Sequence, residues 1–142
     1  MITLTAFLLC SVVLSYRRWM IHYQLTAFVV RFADALNYAE NAAIASQSTI
    51  VFGPKNANWQ RGQVIFEKHT SRLLLALPPI PTEYRLIWAS TLGESQSLQF
   101  RSNGFTRGQQ GSFFIRLVAH KHISARLIIL RTGRVRVVMS NQ

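Results

Sequence analysis

Arg134 and Arg136, one residue apart on either side of Val135, are the side chains in this sequence best suited to hold a ligand. In an extended strand alternate residues share a face, so the two guanidiniums stand ~6.6 Å apart along the strand while Val135 and Val137 turn towards the core. That separation suits two successive phosphates of a nucleic-acid strand, and the planar fork of Arg meets phosphate oxygens in pairs. Gly133 precedes them at a turn, where a positive φ costs glycine little. Arg131 stands on the other side of the same turn, Lys121 and Arg126 flank the preceding loop, and Arg107 completes the basic set. No row of aromatic residues accompanies them as a stacking platform. The expected ligand is therefore a nucleic-acid backbone, bound without sequence preference.

The charge balance points the same way. Thirteen Arg and three Lys face four Glu and one Asp, for a net charge of +11. Eight of the basic residues fall between Phe100 and Gln142, and no acid occurs after Glu94. Ordinary soluble surfaces mix the two signs. A solvated basic face without a ligand is the bland alternative, and the one-signed last third argues against it.

Other chemistries lack their residues. No Gly-x-Ser-x-Gly is present, and the one cysteine, Cys10, sits among Leu8, Leu9, Val12 and Val13 as a small apolar residue. Leu9 stands where a lipidation site needs a small side chain. His120-x-His122 puts two imidazoles on one strand face, but no carboxylate or Cys follows to complete a metal site, so two solvent-facing histidines are expected. No phosphate-cradling Gly-rich loop or dinucleotide fingerprint occurs. Neither an enzyme nor a cofactor is expected.

The elements that must position the basic residues are a long helix and a set of short strands. Ile2 to Tyr16 is fifteen residues without a charge, closed by Arg17-Arg18. At 1.5 Å per residue that is ~22 Å of helix, short of a ~30 Å hydrocarbon core. A secretory segment, a core helix and a bilayer segment extended through Trp19, Met20 and Ile21 are all open, the last with the two arginines snorkelling. Phe28, Phe32, Leu36, Ala39, Ala43 and Ser46 then recur at three- and four-residue steps. No Gly or Pro breaks the chain before Gly53-Pro54. One helix is expected, its first half membrane-like and its Ala-rich second half packed on a sheet. Candidate strands are Thr49–Phe52, Gln63–Lys68, Arg72–Leu77, Arg85–Ala89, Leu98–Arg101, Ser112–Ala119, Ala125–Leu130 and Arg134–Met139. Gly53-Pro54, Arg61-Gly62, Pro78-Pro79-Ile80-Pro81, Asn103-Gly104, Gly108 to Gly111 and Thr132-Gly133 separate them as turns. The fold class is α+β, with antiparallel sheet.

Five sequence features in order resemble the GspH/FimT family of type IV minor pilins and pseudopilins. They are the helix end Leu36-Asn37-Tyr38-Ala39-Glu40-Asn41-Ala42-Ala43-Ile44, Trp59-x-x-Gly62-x-x-x-Phe66, Leu98-Gln99-Phe100-x-x-Asn103-Gly104, Leu127-Ile128-Ile129 and Thr132-Gly133-Arg134-Val135-Arg136. Aligning Thr3-Leu4 with the family's usual Thr-Leu puts Ala6 where the family carries a Glu. The resemblance implies a pilin-like fold, with residues 1–28 as the membrane-anchoring half of the helix and 29–142 as the globular domain. It implies other pilins or pseudopilins as partners, an inner-membrane anchor with a periplasmic domain, and possible incorporation in a surface pilus. Gly133-Arg134-Val135-Arg136 matches the Gly-Arg-x-Arg element of the FimT-like branch, which is associated with DNA uptake in natural transformation. The GspH-like branch offers the other reading, a structural pseudopilin of type II secretion.

Overall fold

The computed structural model describes residues 1–90, 97–106, 110–118 and 123–139, the first two of the last segment by backbone alone. A single helix, α1 (Ile2–Ser46), leads into eight strands: β1 (Ile50–Lys55), β2 (Asn58–Glu67), β3 (Leu73–Leu77), β4 (Tyr84–Ser90), β5 (Leu98–Phe100), β6 (Gly111–Leu117), β7 (Ile123–Ile129) and β8 (Val135–Met139). They form two four-stranded antiparallel sheets, ordered β3-β2-β1-β5 and β4-β6-β7-β8. All eight expected strands are present, with their ends shifted by a few residues.

The helix has two regimes. Its first eighteen residues are exposed, including Phe7, Leu9 and Val12. It is long and apolar enough to cross a membrane, with a mean hydropathy of 1.3 over an 18-residue window of which nothing is buried. Burial begins at Leu25 and continues through Val29, Phe32, Ala35, Leu36, Ala39 and Ala43. That set follows the three- and four-residue steps read from the sequence, except that Ser46 is exposed at the helix end. There the chain leaves through Gln47 in the left-handed region (φ 55°), with its Nε2 donating to the Ile44 carbonyl at 2.9 Å.

The buried stripe is driven into a seam between the sheets. Phe32 meets Phe52 of β1 edge-on at 5.3 Å between ring centroids, and Phe113 of β6 at 4.7 Å. Phe113 also touches Trp59 (5.0 Å) and Trp88 (4.4 Å), so one ring joins the helix to both sheets. Edge-on aromatic pairs add about 0.5–1.5 kcal/mol each beyond their area burial. Ala39 and Ala43, fully buried, let the next turns of helix approach the sheets closely. At the other end of the stripe Tyr84 Oη donates to the Ile21 carbonyl at 2.6 Å, tying β4 to the helix. Burial, then the neighbouring Glu83 charge, pushes its pKa up to about 12.

Two turns differ from expectation. Gly53-Pro54 lies inside β1 and Arg61-Gly62 inside β2. The reversal between those strands is instead Asn56-Ala57, both with positive φ (52° and 59°). Two such residues make the type I′ turn that matches strand twist. The sequence signal was weak because Asn-Ala replaces the usual Asn-Gly. An L-residue there costs roughly 1–2 kcal/mol.

Opposite stability changes should follow at these two places. Phe113→Ala should cost about 3–5 kcal/mol, the range for removing a large core side chain. Ala57→Gly should gain about 1 kcal/mol by relieving the left-handed alanine. Denaturant midpoints of the two variants, measured in the same neutral detergent, check both. A stabilising F113A or a destabilising A57G would contradict this packing and turn geometry.

Candidate nucleic-acid interface

The β7–β8 hairpin turn is built by backbone bonds before any side chain matters. Gly133 N donates to the Leu130 carbonyl and Leu130 N to the Arg134 carbonyl, both at 2.9 Å. A second turn, between β5 and β6, is stitched to it: Thr106 donates to the Arg131 carbonyl from its N at 3.1 Å and from its Oγ1 at 3.2 Å. Arg131 is thus anchored by its backbone while its side chain remains exposed.

Gly133 has φ +87°, as its place in the turn requires, and the structure shows a second constraint on it. A Cβ there would collide with the Gly104 carbonyl oxygen and press on the Glu40 carboxyl at 3.2 Å. Gly104, with φ +83°, is similarly close to helix α1: its Cβ would lie 2.8 Å from Ile44 Cδ1. Two glycine turns and one helix turn therefore meet at Glu40 and Ile44. The close contact fixes the hairpin relative to the helix that carries the domain.

Glu40 is the functional neighbour that the sequence did not reveal. Burial holds its carboxyl above the usual carboxylate range, and the charge of Arg134 partly offsets that. No spacing rule links positions 40 and 134. Only the meeting of helix and hairpin does.

Of the expected basic residues, the structure brings Arg131, Arg134 and Arg136 to the exposed turn and the strand that follows it. Arg136 lies on β8 opposite Ile128, whereas Arg134 precedes the strand and stands in the field of Glu40. Arg134 is joined to the end of β7 all the same, its carbonyl accepting from Leu130 N at 2.9 Å. Val135 is half-buried against the core as expected. Val137 is not: it is 41% exposed, because β8 is the edge of its sheet and the helix covers it only in part. Arg126 sits on the outer face of β7, its Nε donating to Ser112 Oγ at 3.1 Å and its guanidinium 5.2 Å from the Phe114 ring centre. Lys121, Arg107 and the His120-x-His122 pair lie outside the described residues. Among the described residues no three metal-ligating side chains come together.

One long helix half clothed by two small antiparallel sheets is the architecture of type IV pilin-like proteins. The family described as Type II transport protein GspH matches residues 29–133, and the chain belongs to that family. The match ends at Gly133, immediately before Arg134 and Arg136. The solved structure of the type IV minor pilin FimU from Pseudomonas aeruginosa is similar in fold, with a TM-score of 0.67 and 16% identity over 84% of this chain and 92% of FimU. A second crystal form of FimU gives 0.60 and 17% identity, over 80% and 91% of the two chains. No curated protein sequence matches significantly.

The Glu40 environment yields a pH test. A carboxyl whose pKa is raised on folding contributes stability that is present below its unfolded value and lost as pH rises through the folded value. Glu40→Gln removes that loss. The variant should match wild type below about pH 4 and become the more stable of the two as pH rises towards neutrality. Thermal midpoints across that range check it; a wild-type advantage that grows with pH would mean attraction to Arg134 outweighs burial.

Proposed function

We propose that this chain is a minor type IV pilin that binds extracellular DNA through its C-terminal hairpin and promotes DNA uptake in natural transformation. The observation that supports this most is a rigid turn presenting Arg131, Arg134 and Arg136 to solvent, in a chain end without acids. The planar fork of Arg loses less freedom per hydrogen bond on meeting phosphate than a flexible ammonium does. Of the site residues, Gly133 serves by allowing the turn, and Arg126 widens the basic surface. Lys121 and Arg107 belong to the proposal on sequence alone. The exposed first part of the helix, to about Trp19, is the proposed inner-membrane anchor. Residues 20–28, expected in the anchor, already meet the domain through Leu25 and the Ile21 carbonyl. Residues 29–142 are the proposed periplasmic domain, able to enter a pilus beside other pilins.

Three phosphate contacts imply a log–log salt slope near −3 and micromolar or weaker affinity at physiological salt. Full-length protein in neutral detergent should bind fragments of scrambled sequence alike. Arg134→Gln and Arg136→Gln should each reduce the slope by roughly one and leave stability within about 0.5 kcal/mol. In a transformable host the double variant should lower DNA uptake without removing pili. Ordinary uptake from that variant, at ordinary protein levels, would move the function away from the hairpin.

A pseudopilin of type II secretion is the second reading, supported by the family's description and by the exposed Val137 and Val138 on edge strand β8, a surface suited to a neighbouring subunit. Loss of fibre assembly in the double arginine variant, with DNA binding unchanged, would favour it. Anchoring is tested by truncation. A chain begun at Met20 keeps Leu25 and the Ile21 carbonyl that Tyr84 engages. It should be soluble without detergent and more stable than one begun at Val29, by about 1.5–3 kcal/mol for the lost leucine. Aggregation of the longer truncation, with the full chain soluble without detergent, would make the segment a core helix.

A further inference from the structure

The outer face of the second sheet carries arginines that the hairpin does not use. Arg85 of β4 stands directly opposite Arg116 of β6. Two residues along, the next cross-strand row is Ile87, Phe114, Arg126 and Val138, and the row after it Ala89, Ser112, Ile128 and Arg136. Directly paired residues share a face, so Arg85, Arg116, Arg126 and Arg136 all point away from the core. From Arg116 to Arg126 to Arg136 each step moves one strand over and two residues along. With ~4.8 Å between strands and ~3.4 Å per residue, a step is about 8 Å and the two steps together about 17 Å. The diagonal ends beside the hairpin turn.

Two features of this face ask for a ligand. Like charges placed directly opposite each other destabilise a sheet, and Arg85 faces Arg116 with no carboxylate on that face within the four strands. The next acid along the chain, Glu83, lies in the turn before β4. The floor between the arginines is also apolar. Ile87 is 40% and Val138 43% exposed, and the Arg126 guanidinium carbon lies over the Phe114 ring, 5.2 Å from its centre. The hydrogen bond to Ser112 holds that guanidinium in place.

Regular cations over an apolar and aromatic floor match an unpaired polynucleotide, which offers phosphates to the forks and base faces to the floor. A duplex turns phosphates and sugars outward and has no base face to lay on Ile87 or Phe114. We propose that this face is a track for an unpaired DNA strand, continuing from the hairpin across the sheet to β4. The proposal rests on the DNA-binding reading of the hairpin and adds the form of DNA and its path.

The test uses the full chain in neutral detergent and fluorescence anisotropy with an oligothymidylate of about 12 nucleotides and a duplex of equal length. Wild type should bind the single strand several-fold more tightly. The double variant R85Q/R116Q should lose roughly tenfold on the single strand at low salt, with the salt slope reduced by about 1.4, and leave duplex binding unmoved. Its thermal midpoint should equal or exceed that of wild type, since a repulsive pair is removed; a residue pair needed only for folding would lower it. Equal or tighter binding to the duplex overturns the track. So does an R85Q/R116Q variant that binds as wild type while R134Q/R136Q is weakened, a result that leaves the hairpin reading standing. Absence of binding to either DNA by wild type overturns both.

Discussion

The packing of Phe32 between Phe52 and Phe113 is the contact on which the rest of the molecule depends. Neither sheet has a second layer of its own. Each buries its inner face against the same helix stripe, and the aromatic seam is where all three surfaces meet. Because a helix is rigid, seating Phe32 also sets the positions of Glu40 and Ile44 two and three turns further on. Those are the residues against which the two glycine turns close. The hairpin that carries Arg131, Arg134 and Arg136 is thus aimed by a core contact far from it along the chain.

At the hairpin, backbone proximity and electrostatics are in opposition. The turn must come near enough to the helix that no Cβ fits at Gly133, which places the Arg134 charge near a partly desolvated Glu40 carboxyl. Glu40 draws some of the local positive field inward, while Arg131 and Arg136 face solvent. The same sheet then spreads cations outward along a diagonal. The inner face of the sheet serves the core and its outer face carries the charge, a division that strand alternation makes available without added elements.

Much of this was legible in the residues. The helix stripe from Phe28 to Ala43, the eight strands and the turn at Gly133 follow from hydrophobic period and turn chemistry, both local properties. The β1–β2 reversal was missed because Ala57 takes a conformation that alanine rarely adopts, while Gly53-Pro54 and Gly62 resemble turns and sit in strands. Val137 was placed inside because alternation gives the side of the sheet and not how far a neighbouring element covers an edge strand. Glu40, Arg85 and Arg116 were invisible for a common reason: their significance lies in which residue stands opposite, and pairing between distant segments has no local signature.

The exposed arginines of the last hairpin are proposed to meet the DNA backbone. Arginine Nε–Hε resonances of the full chain in neutral detergent, followed by NMR during titration with DNA, report on each guanidinium separately. The signals of Arg131, Arg134 and Arg136 should shift together and return on adding salt. Shifts confined to arginines of the helix, such as Arg17, Arg18 and Arg31, with those three unmoved, would contradict the proposal.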